Sequence, residues 1–442
     1  MFALSAEPRI PPLNVANSVV VRPAHEAHTG RANNNKRAAL VSPPTCFGGS
    51  CFRGLDNQAF RVSATHSPIN RANLHNALVD YPDGEVATQL KEGFQFGFRI
   101  GFTGERTVQN AANQQSIFLN IAIARQKIKK EIDYGRVKGP FSHPPMLNFR
   151  VSPLGMVPKK LIVGSPQEYR LIHNLSYPSG TSVNDNIDRD LCTVKYASFD
   201  DAAIMVQAAG PNCELAKSDI KSAFRLLPVH PADFDLLGFK FDGKYYFDTA
   251  MPMGCSVSCS IFEKFATFLN WRLRQTTPFG EVMHYLDDFL FVGRPQSGEC
   301  ARLLSGFYDL CAHLGVPIAH EKTEGPVNKI VFLGLLLDAE KQTVEVPSDK
   351  LCELRKKLKD RLLLKKVSLK ALQSLIGSLN FLCRAIAPGR AFLRRLIGAT
   401  RGLDHPREVT RGLIGATRGL DHPREVTRVT LSMKEDLKMW LE

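Results

Sequence analysis

The spacing of apolar and polar residues changes several times along the chain. Residues 1–78 are rich in Asn, Ala, Pro, Arg and Ser and show no sustained apolar period, which predicts a mostly disordered basic arm. Residues 116–132, SIFLNIAIARQKIKKEI, predict a helix with Phe118, Ile121, Ile128 and Ile132 roughly on one stripe. Beyond residue 212, strand-like alternation and helical runs follow each other as far as residue 338. This alternation indicates a mixed α and β fold.

The stretch from Lys350 to Lys370 combines helical leucine spacing with a concentration of charge. It holds nine Lys or Arg residues against Glu353 and Asp360, a net charge of +7. The leucines at helical spacing are Leu351, Leu354, Leu358 and Leu362. The pattern predicts an amphipathic helix with a cationic face. That face either is simply solvated or grips a nucleic-acid backbone.

Composition limits the class of protein. A chain of 442 residues predicts two or three packed subdomains. The net charge of +14 suggests a polyanionic partner, although charge alone also fits a merely soluble basic protein. The ten cysteines form no CxxC pair and are expected to be reduced. No signal peptide and no apolar run of ~20 residues is visible, so we expect an intracellular protein of the nucleus or cytoplasm, neither secreted nor in a membrane.

The tail contains an internal repeat. LIGATRGLDHPREVTR stands at 396–411 and again at 413–428. A solenoid needs at least three stacked units. We interpret the repeat as a recent tandem duplication or an assembly artefact without a function of its own.

Three aspartates stand where strands are predicted to end. Asp219 closes the alternating run CELAKSD, and Asp287 and Asp288 stand between two β-rich runs in EVMHYLDDFLFVG. A strand-end Asp beside a hairpin-tip pair can hold two Mg²⁺ ions about 3.5–4 Å apart. For any single Asp pair a solvated turn is the simpler interpretation. The order and surroundings of the whole set favour a metal site.

These surroundings include glycine and cations. Gly254 lies in a Gly/Ser turn before a predicted helix, where a glycine lets backbone approach a nucleotide or template. Lys322 is predicted in a loop, and Lys159, Lys160 and Arg170 lie near short strand-like pieces. Such cations could bind a triphosphate.

Seven motifs in this order resemble those of reverse transcriptases. They are GRVKGPF, SPLGMVPKK, YRLIHNLSYPSGTSVND, KSDIKSAFRLLPVHP, MPMGCSVS, YLDD and FLGLLLD, and the resemblance covers roughly Glu131 to Arg390. The resemblance is strongest to the tyrosine-recombinase retrotransposons of the DIRS type. It implies an α+β right-hand fold with fingers, palm and thumb, and an RNA-directed DNA polymerase that is part of a retrotransposon polyprotein. It also implies two Mg²⁺ ions with Mn²⁺ as a possible substitute, a primed RNA or DNA template and deoxynucleoside triphosphates, but predicts no oligomeric state.

The resemblance divides the chain into five regions. We expect the arm at 1–78, an N-terminal extension and fingers at 79–212, the palm at 213–345, a basic helical thumb-like region at 346–395, and the duplicated tail with the start of a truncated connection at 396–442.

The resemblance also assigns roles to individual residues. Asp219, Asp287 and Asp288 match the metal carboxylates. Phe224 matches the position that screens the sugar, although spacing alone slightly favours a residue of the palm core. The remaining matches are Arg170 and one of Lys159 or Lys160 on the triphosphate, Gly254 and Tyr285 at the nucleotide, Lys322 as the lysine proposed to protonate pyrophosphate, and Phe332, Leu333 and Gly334 in the primer grip.

The chain departs from the family pattern at a few places. Met253 stands where many reverse transcriptases have Gln, and His173-Asn174 stands where many have Val-Asp. The sequence stops where a connection to RNase H is expected, so we expect a fragment of a longer element.

Two other functions remain open. One is a catalytically silent nucleic-acid-binding relic of such an element; the three intact acids argue for the enzyme instead. The other is an RNA-copying RNA polymerase, against which Leu286 and the bulky Phe224 argue.

Overall fold

The computed structural model describes residues 67–159, 166–400 and 426–441. Lys160, almost all of the predicted arm and most of the duplicated tail lie outside the described residues. Within the described ranges, no helix is long and apolar enough to cross a membrane.

The described helices are numbered in chain order. The α-helices are α1 (Arg71–Ala77), α2 (Gly84–Phe96), α3 (Gln115–Leu119), α4 (Ile121–Asp133), α5 (Phe199–Ala209), α6 (Ser258–Thr276), α7 (Glu299–Leu314), α8 (Ser348–Leu362), α9 (Leu369–Leu382), α10 (Arg394–Gly398) and α11 (Leu431–Met439). Short 3₁₀ helices cover Asn184–Asn186, Asp190–Cys192, Ala223–Leu226, Pro231–Leu236, His320–Lys322 and Ala387–Leu393.

The strands are numbered in the same way. They are β1 (Gln109–Asn110), β2 (Val137–Phe141), β3 (Arg150–Val151), β4 (Leu154–Pro158), β5 (Tyr169–His173), β6 (Glu214–Asp219), β7 (Gly238–Phe241), β8 (Lys244–Asp248), β9 (Glu281–Tyr285), β10 (Asp288–Gly293), β11 (Glu324–Val327), β12 (Lys329–Phe332), β13 (Leu335–Asp338), β14 (Thr343–Glu345), β15 (Lys366–Ser368) and β16 (Val426–Arg428).

A four-stranded antiparallel sheet, ordered β11-β6-β10-β9, lies at the centre. We call it the central sheet. In β10 the residues Phe289, Leu290, Phe291 and Val292 are all buried, because α5 contacts this strand as well as α7. Each such side chain contributes about 1.5–3 kcal/mol by burial. The predicted strand before Asp219 and the predicted hairpin are thus both confirmed.

The other strands form smaller sheets. A five-stranded sheet is ordered β1-β3-β7-β8-β2, and β4 and β5 form a separate two-stranded hairpin, which we call the cationic hairpin. Strands β12, β13 and β14 form a three-stranded sheet that shares one apolar core with β6, β10 and helices α5, α8 and α9.

The last residues of the predicted arm, 67–78, are ordered. Helix α1 and the following turn lie inside the predicted arm, with Leu74 and Leu78 buried. The Asn73 side chain donates to the His313 carbonyl at 2.7 Å at the end of α7. Contacts with α7, remote in sequence, thus order a segment whose local pattern is weak.

The predicted helix at 116–132 is interrupted. Asn120 separates α3 from α4, and its side chain donates to the Ser116 carbonyl at 2.9 Å. Burial therefore falls on Ile117 and Ile128, while Phe118 is 62% exposed. A single helical stripe predicted the wrong buried face for the first turn.

The predicted basic helix at 350–370 is shorter than expected. Helix α8 ends at Leu362, then β15 pairs with β16, and Ser368 caps α9 by accepting from the Ala371 amide. Leu354 and Leu358 are buried, as the leucine spacing predicts. The exposed cations on this helix include Arg355, Lys356, Lys357 and Lys359.

Candidate active site

Two strands and one turn bring the three aspartates together. Asp219, the last residue of β6, pairs directly with Asp288, the first residue of β10. Asp287 lies in the two-residue turn between β9 and β10, and its carbonyl accepts from the Ile220 amide at 3.0 Å. Cross-strand neighbours in such a pair have Cβ atoms about 4.5–5.5 Å apart, so the carboxylates of Asp219 and Asp288 are adjacent.

The turn itself has an unusual backbone. Leu286 has φ +53°, a conformation that a two-residue hairpin normally gives to glycine. For a side chain like leucine this costs about 1–2 kcal/mol. The surrounding pairing of β9, β10 and β6 therefore fixes the turn against local preference, a feature the sequence pattern did not reveal.

The three carboxylates repel one another. Burial, and then the charge of Asp219, raise the pKa of Asp287. Desolvation by the surrounding protein, followed by the charges of Asp287 and Asp219, raises the pKa of Asp288 to about 6. Lys322 balances part of this charge, since its Nζ lies 2.6 Å from Asp219 Oδ2. Burial lowers the pKa of Lys322, but the hydrogen bond and charge of Asp219 outweigh it and the pKa is raised.

That the three carboxylates hold a pair of ions between them stays a prediction. Within the described ranges, no group of three or more His, Cys, Asp or Glu side chains is arranged to hold a metal ion alone. One oxygen of Asp219 is instead paired with the Lys322 ammonium, and the three carboxylates carry like charges. Their chemistry still fits Mg²⁺, which takes hard oxygen ligands and fills its remaining positions with water and phosphate oxygens.

Phe224 lies close to the acids in sequence but on a separate turn. It belongs to the 3₁₀ helix Ala223–Leu226 and is half-buried. Its ring meets Phe262 of α6 edge to face, with centroids 5.9 Å apart. One side of the ring is therefore part of the core, while the rest remains accessible.

The cationic hairpin carries two of the cations that are predicted to bind the triphosphate. Lys159 forms an ion pair with Glu168 at 2.6 Å. Arg170 is exposed and has no acidic partner among the described residues, and its charge is among those that lower the pKa of Asp287. Both line a cavity of about 280 Å³ together with Ser222 and Met253. The predicted alternative, Lys160, lies outside the described residues.

Position 254 requires a glycine because its backbone packs directly against the backbone of β5. A Cβ atom at this position would lie 1.7 Å from the His173 carbonyl oxygen. The Asn184 side chain donates to the Gly254 carbonyl at 2.8 Å and accepts from the Ser256 amide at 3.0 Å. The immediate neighbour of Gly254 is thus strand β5 rather than open space for a nucleotide. Asn184 was missed because nothing in its local sequence indicates this long-range contact.

Tyr285 precedes the Asp287-Asp288 pair along the chain, and the predicted primer grip follows it. The Tyr285 ring packs against Tyr196, with centroids 5.0 Å apart. Phe332 is buried, whereas Leu333 (φ +43°) and Gly334 (φ +86°) form the tight turn between β12 and β13. The Gly334 carbonyl accepts from a lysine at the start of α8 at 2.7 Å. Of the three residues, Phe332 therefore belongs to the core, whereas Leu333 and Gly334 form the turn; the role in binding a primer stays a prediction.

Sequence comparison identifies the family of the central part. Residues 157–337 match the family described as reverse transcriptase (RNA-dependent DNA polymerase). The Gag-Pro-Pol polyprotein of human T-cell leukemia virus 3 is 28% identical over 167 residues, which cover 38% of this chain and 11% of that protein. Protein P of duck hepatitis B virus (isolate brown Shanghai duck S5) is 31% identical over 166 residues, 37% of this chain and 20% of that protein. The chain thus spans only a small part of these curated relatives.

Solved structures show the same fold. A foamy viral protease-reverse transcriptase in complex with double-stranded DNA superposes with a TM-score of 0.55 at 16% identity, over 84% of this chain and 58% of that chain. The foamy viral protease-reverse transcriptase in complex with RNA/DNA hybrid gives 0.52 at 14% identity, over 84% and 45%. The predicted α+β right-hand polymerase fold is therefore confirmed, and residues 157–337 match the reverse transcriptase family.

Proposed function

We propose that this chain is an RNA-directed DNA polymerase that adds deoxynucleotides to a primer 3′-hydroxyl. The observation that carries the proposal is the direct pairing of Asp219 with Asp288, with Asp287 at the adjoining turn, inside the reverse transcriptase match. The substrates are deoxynucleoside triphosphates and a primed RNA or DNA template. All three acids are present, which favours the enzyme over a silent nucleic-acid-binding relic.

Asp219, Asp287 and Asp288 would hold two Mg²⁺ ions, with Mn²⁺ as a substitute. When bound, such ions lower the pKa of the attacking hydroxyl and neutralise charge on the triphosphate. Lys322, whose raised pKa keeps a proton on Nζ beside Asp219, would donate that proton to the departing pyrophosphate. Arg170, and Lys159 when it leaves Glu168, would bind the triphosphate oxygens.

The half-buried Phe224 would exclude ribonucleotides. A ring fixed against Phe262 cannot retreat from a 2′-hydroxyl. Overpacking of this kind costs about 1–3 kcal/mol. Tyr285 would form another wall of the same site, and Leu333 with Gly334 would guide the primer.

We assign the fingers to 79–212, the palm to 213–345 and the thumb-like region to 346–395. We further propose an intracellular location and an origin in a DIRS-type retrotransposon polyprotein. The seven motifs support that origin, and Met253 before the Gly/Ser turn fits this type of element.

Primer extension on an RNA template tests the function. The full chain should extend a DNA primer with deoxynucleotides in the presence of Mg²⁺ or Mn²⁺, and EDTA should stop the reaction. Template binding without any extension under either ion would support the relic instead.

A further inference from the structure

A buried arginine next to Phe224 joins several parts of the chain that surround the nucleotide cavity. Arg225 Nε lies 3.0 Å from Glu131 Oε2 on α4, and Nη1 lies 2.7 Å from Asp248 Oδ1 at the end of β8. Nη1 also donates to the Ala250 carbonyl at 2.8 Å, and Nη2 donates to the Arg136 carbonyl at 3.2 Å. The arginine therefore binds two carboxylates and two backbone carbonyls at once.

The second oxygen of Asp248 extends this network to the cationic hairpin. His173 Nδ1 lies 2.8 Å from Asp248 Oδ2, and Nε2 lies 3.2 Å from the Gly238 carbonyl. His173 is on β5, the strand that carries Arg170. One set of buried contacts thus fixes the turn of Phe224, the backbone leading to the Gly/Ser turn, and the strand that presents the triphosphate cation.

Burial makes this geometry demanding. The side chains of Arg225 and Asp248 are 12% and 7% exposed. A buried ion pair contributes little net stability compared with an apolar replacement, but removing one partner leaves an uncompensated charge. The network is better explained by the arrangement it fixes than by stability. Phe262 holds the turn from one side and Glu131 holds it from the other.

We propose that Arg225 is a positioning residue that fixes Phe224 relative to the cationic hairpin and thereby sets the selectivity for deoxynucleotides. The proposal rests on the proposed polymerase function. In this role Arg225, whose guanidinium is occupied by Glu131 and Asp248, acts through the orientation of Phe224 and of β5. Asp248 and Glu131 are the anchors that hold its guanidinium in place.

Selectivity measured on two variants tests this role. Arg225→Met removes the guanidinium and all its contacts. Asp248→Asn keeps the shape of the side chain while weakening the ion pair with Arg225. For each, kcat and KM are measured with a deoxynucleotide and the matching ribonucleotide. We expect the ratio of the two kcat/KM values to fall roughly ten- to a hundredfold in Arg225→Met, since misplacement by an ångström has effects of up to that size. Asp248→Asn should show a smaller loss in the same direction.

Arg294→Met is the matched control. It also leaves a buried carboxylate without its cation, because Glu299 pairs with Arg294 at 2.5 Å at the other end of β10. Its stability should fall, measured by thermal melting, while the selectivity stays that of the wild type. An equal loss of selectivity in the control would overturn the proposal, since a general loss of stability would then explain the result for both variants.

A double variant separates positioning from general damage. If Arg225 acts through Phe224, adding Arg225→Met to Phe224→Val should cause little further loss of selectivity. Independent losses, or unchanged selectivity in a folded Arg225→Met or Asp248→Asn protein, contradict the proposal. A wild-type chain that does not extend primers at all would instead contradict the polymerase function.

Discussion

The central sheet and the cationic hairpin present their charged residues in different ways. In the central sheet, Asp219 and Asp288 stand at the ends of strands whose side chains are buried. Slipping β10 by one residue would exchange its buried phenylalanines with Leu290 and Val292 between two packed faces, so the register is strongly fixed. The apolar residues thereby fix where the acids lie.

The strands of the cationic hairpin are anchored by the buried Leu154, Met156 and His173, but its charged side chains are not fixed in this way. It is a two-stranded sheet on its own, and such hairpins are marginal without other contacts. Lys159 pairs with an exposed glutamate, and Arg170 is exposed without an acidic partner in the described ranges. The acids are therefore held in a fixed frame, whereas the cations can adjust to a substrate.

The largest expected effect comes from the fixed acids. Asp287→Asn should lower the rate of primer extension by about a thousandfold or more, because a metal-ligating carboxylate contributes several kcal/mol to the transition state. Template affinity should hardly change, since it comes from Lys and Arg contacts. Single-turnover extension and a binding titration measure the two quantities.

Asp309→Asn, on the exposed surface of α7, is the control for this change. It should behave like the wild type in both measurements. Near-normal extension by Asp287→Asn would show that the acids at the turn do not hold the ions.

The next effect concerns the sugar. Phe224→Val should raise ribonucleotide incorporation roughly ten- to a hundredfold, the equivalent of about 1–3 kcal/mol of relieved overpacking. Deoxynucleotide activity should be largely retained, because the remaining contact with Phe262 is replaced by a smaller apolar side chain. Parallel loss of both activities would mean that the ring only supports the core.

The central sheet could be predicted from sequence because its signals are local. Alternation before Asp219 and the apolar run after Asp288 each specify a strand, and a two-residue gap specifies a hairpin. The positive φ of Leu286 could not be predicted, because three paired strands impose it.

Long-range contacts explain the other features that could not be predicted from the sequence. Arg225 reads as one cation in the apolar run AFRLLPV, and only the fold brings it to Glu131, 94 residues away in sequence. The end of α8 likewise depends on the pairing of β15 with β16, which follows after a long interval in the chain. Roles at the site stay predictions, since geometry alone does not test them.

The next prediction concerns the exposed lysines of α8, which could bind the phosphate backbone of the primer-template. Replacing Lys356, Lys357 and Lys359 with Gln should weaken primer-template binding and reduce the salt slope by roughly one unit per lost phosphate contact. Removing Lys91, Lys129 and Lys341 deletes the same charge from other parts of the surface and should leave the slope nearly unchanged. Equal slopes for both triple variants would mean that the α8 cations only face solvent.

The smallest expected effects are on the KM for deoxynucleotides, and they distinguish Arg170 from Lys159. Arg170→Gln should raise the KM for deoxynucleotides about tenfold, the loss of one charge-assisted hydrogen bond. Lys159→Gln should raise it less than about fivefold, because an exposed ion pair such as that with Glu168 is worth only about 0.2–1 kcal/mol and competes with the phosphate. Glu168→Gln frees Lys159 and should lower the KM slightly, and in that background Lys159→Gln should have a larger effect than it has alone. Steady-state kinetics on the four variants measures these differences. Equal effects of Lys159→Gln with and without Glu168 would show that the ion pair does not restrain Lys159, and the hairpin would then present two equivalent cations to the triphosphate.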